Sequence, residues 1–489
     1  MKKPYLYSAS SILAGLLLSI AAAGCASAEG TVQQTETSAQ PPETAVQTEA
    51  DPTAYLPEAD YNGYEYRILG ADVDIPMVLS DTLDGNIIND AVYNANRAVE
   101  ERYNIKLMQV PLSKWDDSAA IRSSILSGED AFDLGVCHDV TAGNLSLEGL
   151  FVDLHSLPHL DFNQPWWPEF TTEGLTINGK MYIFSNFIGY NGLRGTKNMY
   201  VNLDRLTDYD LPSPYDMVKD GTWTLDKVIS MTKDIYEDVN GDQVRDRDDF
   251  FGFAFTGLFY GWLENFGIEA YVPTADGTAL ELAVNTPRTA ELTDIVKSWL
   301  VTSDYNGVWY KSSHPSLYDK AAYSVMFADG NCLFTYGSLY VLIDCLTNSD
   351  VKYGILPMPK MDEQQKDYYG VCYDSPMFMP ITVSDPDRTA VILEAMSAEG
   401  YKTIMPAYKE VTLKDRYATD VESSEMLDII FSNRVLSRSY IYGRGSGLQM
   451  LLNSVVPSAT QEFASYYEKH ESAELKQLEK INEFFKNAD

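Results

Sequence analysis

Cysteine, histidine and positive charge are scarce in this sequence, and each shortage closes off a class of protein. Of 489 residues five are cysteine, Cys25, Cys137, Cys332, Cys345 and Cys372, and no two stand in CxxC spacing. That spacing argues against a zinc ribbon. In so long a chain the last four read as buried thiols packing like small apolar side chains, with no disulfide expected. Lys and Arg number 36 against 71 Asp and Glu, a net charge of −35. Such a surface repels phosphate backbones and anionic headgroups, which argues against nucleic acid and against any membrane contact except through an anchor. The five histidines form no H-E-x-x-H helix, and no Walker loop, G-x-G-x-x-G or G-x-S-x-G elbow occurs; Gly443-Arg-Gly-Ser-Gly447 lacks the required spacing. With acidic residues this abundant, paired carboxylates are uninformative about a glycosidase. A non-enzyme is expected, with a glycoside hydrolase as the minor alternative.

Long apolar runs are missing too, save one. Lys2 and Lys3 precede an uncharged, largely apolar stretch, Ser11 to Ala23, the layout of a secretory signal. It ends in Ala22-Ala23-Gly24-Cys25, which resembles a bacterial lipobox with Ala22 where leucine is commonest. Diacylation at Cys25 would hold the chain stably to a bilayer, since two acyl chains suffice where one does not; ordinary cleavage nearby is the alternative. Residues 26–59, rich in Ser, Thr, Gln, Glu, Ala and Pro, cannot bury a core and read as a disordered tether spanning about 30 Å. The expectation is an exported protein anchored to the outer face of the cell membrane.

The remaining chain, about 430 residues with 45% hydrophobic and 12% aromatic composition, is long enough for two lobes. Tyr64 to Leu69 alternates as a strand stopping at Gly70. Ile88, Val92, Ala95, Val99 and Tyr103 recur at helical spacing, and Ile105 to Val110 reads as a second strand. Ala119 to Leu126 suggests another helix, leading to a buried strand over Phe132 to Cys137. This β-α-β rhythm implies parallel sheet, and ligands of open parallel sheets bind beyond the carboxyl ends of strands. His138, Asp139 and Thr141 lie there. Further along, Leu175 to Phe184 reads as a hairpin around Asn178-Gly179, Asn198 to Asn202 as a strand, and Thr224 as a helix cap; Leu475, Leu478, Ile481 and Phe485 form an apolar stripe on a C-terminal helix.

Five segments in this order, Ser127 to Asp133, Asn178 to Tyr182, Met199 to Asp204, Gly221 to Thr224 and Tyr353 to Pro359, resemble the carbohydrate-type extracellular solute-binding lipoproteins of bacterial ABC importers (family 1-like). The likeness covers most of 60–440. It implies an α/β, two-lobed periplasmic-binding-protein-like fold, each lobe a mainly parallel sheet flanked by helices, with a ligand cleft between them. By analogy the N-lobe takes 60–185 plus 322–372 and the C-lobe 186–321 plus 373–489. The implied partners are ABC permease subunits and a small ligand, a saccharide and most simply an oligosaccharide. A peptide or other non-sugar solute, or a sugar sensor or adhesin, stays open as an alternative, and a monomer is expected.

Sugars are held by aromatic faces against C–H patches and by carboxylates and amides on hydroxyls. The ligand-binding candidates are therefore Asp139; Trp166 and Trp167, between prolines and expected at the surface; Trp223; Tyr190, Asn191 and Arg194 in a Gly-flanked loop; Trp262 and Glu264; Tyr336 with Ser338; Tyr373 with Asp374; and Arg444. Core packing is the competing reading for each tryptophan, a tight turn with buried rings for the loops. One motif is sharper. Asp238, Asn240, Asp242, Asp246 and Asp249 occupy positions one, three, five, nine and twelve of a loop, with the Val244 carbonyl at seven. This is calcium-loop spacing of the EF-hand or dockerin kind, departing at six, where Gln243 replaces Gly, and at twelve, where Asp replaces Glu. A structural calcium ion is the expectation, against a merely solvated acidic turn.

Overall fold

The computed structural model describes residues 51–488 apart from 256, 304–305, 309–321, 342–344, 347–348, 374, 411–420 and 444–446. Cys25, Asp374 and Arg444 lie outside the described residues. Pro52–Asp489 forms one compact unit.

The first sheet grows from the β-α-β rhythm. Strand β1 (Tyr64–Ala71) runs parallel to β2 (Ile105–Leu112) on one side and to β3 (Leu134–Val136) on the other. β1 passes through the expected stop at Gly70, where a Cβ would lie 2.6 Å from Val136 and 2.7 Å from Ile75. The glycine permits close packing and does not end the strand. Between β1 and β2, helix α1 (Ile87–Tyr103) starts at Asn86, whose Oδ1 accepts the Ile88 N–H at 3.0 Å, and closes at Asn104 in the left-handed region (φ 47°). Its predicted stripe is buried. Helices α2 (Ser118–Leu126) and α3 (Asp139–Ser146) flank β3 in sequence.

The second sheet contains β4 (Lys197–Asn202), β5 (Tyr236–Glu237), β6 (Phe250–Phe255), β7 (Asn306–Val308), β8 (Cys332–Ser338) and β9 (Tyr353–Leu356). β8 is antiparallel to β4 and parallel to β6, β9 is antiparallel to β4, and β6 is antiparallel to β5 and parallel to β7. The sheet is mixed, not mainly parallel, because strands not delivered by a helical crossover are free to run either way. The segments also assort differently from the expected lobes. β8 and β9, from 322–372, belong to the sheet of β4, whereas β10 (Met377–Phe378) joins β3 antiparallel and α4 (Pro386–Pro406) packs on α1. Strands this uniformly buried carry no label for the sheet they join, so pairing is decided by tertiary geometry.

The two stretches of chain near 196 and 372 run side by side: Thr196 bridges Cys372, and a Cβ on Gly195 would sit 1.8 Å from the Tyr373 carbonyl oxygen. The hairpin read at 175–184 contracts to one bridge, Ile177 to Lys180, around Asn178 (φ 51°) and Gly179 (φ 71°). Thr224 holds the N-cap position without a side-chain capping bond. Helices α5 (Arg438–Gly443) and α6 (Phe463–Asn487) follow; Leu478, Ile481 and Phe485 are buried on α6, while Leu475 is exposed on its flank. Cys137, Cys332 and Cys372 are buried and Cys345 is partly buried.

Candidate functional site

A cavity of about 440 Å³ opens where the carboxyl ends of β1, β2 and β3 meet the paired segments near 195 and 373. Val73 and Asp74 follow β1, Trp115 follows β2, and His138 and Asp139 follow β3. Asn191, Arg194 and Lys197 lead into β4, Ser338 and Tyr340 end β8, and Tyr373, Ser375 and Tyr440 complete the wall. Strand ends converge here because parallel neighbours all terminate at one edge.

Aromatic faces and polar groups alternate around this wall. Trp115 is 41% exposed, and its ring meets the His138 ring edge-on at 4.2 Å. His138 Nε2 lies 3.3 Å from Asp139 Oδ1. The Tyr440 and Tyr373 rings stand 4.9 Å apart at 64°, and the Arg194 guanidinium lies 5.4 Å from the Tyr340 ring centre. Lys197 bonds Ser338 Oγ at 2.5 Å, with its ammonium 5.5 Å from the Tyr373 ring and 5.8 Å from that of Tyr336. Loss of water around the ammonium brings its pKa down to about 8. Burial raises the Asp74 carboxyl above its ordinary value, opposed by the Ser375 hydroxyl, which donates to Oδ1 at 2.6 Å, and by Arg194. Asp74 Oδ2 and both amide atoms of Asn191 are buried with no partner among the described residues. Each costs roughly 1–3 kcal/mol while unsatisfied.

A smaller recess shares Tyr373 and Tyr440 with this cavity and contains Tyr260, Glu264, Ser437 and Ser439. Glu264 is buried and accepts a hydrogen bond from Ser437; desolvation pushes its pKa up to about 7.

Of the residues singled out from sequence, Asp139, Asn191, Arg194 and Tyr373 line the cavity, with Ser338 and His138 beside them. Glu264 lies in the adjoining recess, and Trp262 and Tyr336 pack behind it, 5.4 Å apart and both buried. Tyr190 stacks on Tyr408 at 5.6 Å, off the wall. Trp166 and Trp167 are not at the surface. Their indole N–H groups donate to Glu394 Oε1 and Oε2, each at 2.8 Å, and so satisfy one buried carboxylate of α4 from two sides. Trp223 is fully buried and donates to the Pro357 carbonyl at 3.1 Å. These three rings are core.

Asp74, Trp115, Lys197, Tyr340, Ser375 and Tyr440 escaped the sequence reading. The strand-end rule that selected Asp139 would have found Asp74 after β1 and Trp115 after β2 had it been applied to every strand. Tyr440 had no local signal, for it reaches the cavity from a helix three hundred residues after β3.

No protein-family model matches this sequence, and no curated protein matches it. Solved structures do match. A Listeria monocytogenes ABC substrate-binding protein in complex with cycloalternan aligns with TM-score 0.55 at 12% identity over 85% of this chain and 99% of that one. A cyclo/maltodextrin-binding protein complexed with maltotetraose gives 0.57 at 13% identity over 88% and 98%, and a Rhizobium etli sugar transporter in an open conformation 0.57 at 15% over 87% and 100%. At such low identity the likeness speaks to architecture, and the architecture is plain: this chain has the α/β periplasmic-binding-protein-like fold, mixed sheets flanked by helices.

Proposed function

We propose that this protein is the extracytoplasmic, non-catalytic receptor of an ABC importer, capturing a saccharide in the cavity beyond β1, β2 and β3 and delivering it to the permease. The observation that carries this reading is the cavity wall itself: Trp115, Tyr340, Tyr373 and Tyr440 supply rings, and Asp74, Asp139, Asn191 and Arg194 supply polar side chains. Stacked rings hold pyranose C–H faces, and a hydroxyl can both donate to Asp74 and pair with the Asn191 amide. The volume suits a short oligosaccharide. The two sheets then act as lobes that close on the sugar about the paired segments near 195 and 373. Cys25, as a diacylated residue, tethers the receptor to the outer face of the cell membrane. The known ligands of the matching structures, cycloalternan and maltotetraose, point the same way.

A second reading, an acidic sugar, is favoured by Lys197. Its ammonium is held by a neutral hydroxyl and flanked by two rings, and among the described residues no carboxylate is bonded to it. A uronate would supply the missing charge.

The test is thermal melting of the protein from residue 26 onward against neutral oligosaccharides, uronic-acid oligosaccharides and peptides, with recovery of the ligand afterwards. Stabilisation by one glycan class, recovered intact, is expected. Stabilisation by peptides alone would sink the saccharide reading, and release of reducing sugar would replace it with hydrolysis.

A further inference from the structure

The acidic loop Asp238–Asp249 plays no part in the cavity. It joins β5 to β6, and those strands pair with Glu237 facing Phe250. Asp238 directly follows Glu237 and Asp249 directly precedes Phe250, so the ladder brings the first and twelfth loop residues side by side. Within the loop, Asp238 accepts the N–H groups of Gly241 and Gln243 at 2.8 and 3.0 Å, Asn240 that of Asp242 at 2.9 Å, and Asp242 that of Val244 at 2.7 Å. A carboxylate or amide oxygen that accepts one N–H keeps a second lone pair.

Asp249 supplies the independent observation. It is fully buried beneath the loop, where Oδ2 accepts from the Tyr236 hydroxyl at 2.9 Å and from the loop's own Asp246 N–H at 3.2 Å. Oδ1 has no partner among the described residues. A buried carboxylate oxygen without donor or cation is costly, and the side chains at loop positions one, three, five and nine all carry oxygen. Among the described residues no three His, Cys, Asp or Glu side chains are gathered tightly enough to hold a metal by themselves. The loop carboxylates therefore have to draw together as an ion binds, with amide and backbone oxygens completing the shell.

We propose that this loop binds one calcium ion through Asp238, Asn240, Asp242, the Val244 carbonyl, Asp246 and Asp249 Oδ1, with water completing the shell. With Oδ2 committed to Tyr236 and Asp246, Asp249 binds through one oxygen only, so affinity falls in the range of extracellular modules, about 0.1–1 mM. The ion fastens the β5–β6 hairpin, whose second strand lies inside the larger sheet.

Calorimetric titration of the intact chain with calcium chloride after chelator treatment is expected to show one site, and 5 mM calcium to raise the melting temperature by several degrees. Magnesium chloride at the same concentration is expected to give less than half that rise. Asp242→Ala, at an exposed position, is expected to fold normally in chelator and lose both responses; Asp238→Ala serves as its duplicate. Absence of saturable calcium binding up to 10 mM overturns the proposal, as does an equal magnesium response or a calcium response that survives both substitutions. None of these readouts depends on the sugar.

Discussion

At the scale of single residues, the seven tryptophans show how chemistry alone misleads. Trp166, Trp167 and Trp115 are equally capable of stacking on a sugar, yet the first two spend their N–H groups on Glu394 while Trp115 lines the cavity. Trp115→Ala is therefore expected to weaken ligand binding at least tenfold by calorimetry with little change in melting temperature. Trp167→Ala should do the reverse, costing about 3–5 kcal/mol of stability; equal effects of the two on affinity would contradict the assignment. Glu264 yields a pH prediction. Its folded-state pKa of about 7 lies above the ordinary 4.5, so the native state keeps a proton that the unfolded chain has lost. Its contribution is fully present below pH 4.5 and disappears as pH rises through 7. The melting temperature of Glu264→Gln should thus gain on the wild type across that interval, and a flat difference curve would show that Glu264 is not buried in its acid form.

Among elements, α1 and the first parallel strands matched their local patterns, whereas the 175–184 hairpin and the sheet assignment of β8 did not. α1 announces itself through the Asn86 cap and its apolar stripe, and β1, β2 and β3 through alternation and burial. By contrast β8 is buried along its whole length, so nothing in Cys332–Ser338 favours one sheet over the other. The touching segments near 195 and 373 likewise leave no trace except glycine. Gly195→Ala would force a methyl group into the Tyr373 carbonyl. It is expected to cost roughly 1–3 kcal/mol in a melting experiment and to weaken the ligand, because Arg194, Lys197 and Tyr373 shift together. A variant with wild-type melting and affinity would show that the two segments are free to move apart.

For the whole molecule, ligand capture stabilises the folded chain by RT ln(1 + [L]/Kd), about 2.7 kcal/mol at a hundredfold excess over Kd. This is the quantity the melting screen reads. The sequence by itself determined the charge balance, the first parallel unit and the oxygen-ligand spacing of Asp238–Asp249, because each depends on residues near one another in the chain. Four of the residues now lining the cavity, Asp139, Asn191, Arg194 and Tyr373, were legible because strand ends and glycine-flanked loops are local features. Only tertiary structure decided which strands share a sheet, which rings are core, and that Tyr440 meets Trp115 and Lys197 around one space. Those outcomes depend on contacts between residues up to hundreds of positions apart, whose choice among equally apolar partners is made by shape and hydrogen-bond satisfaction and not by local composition.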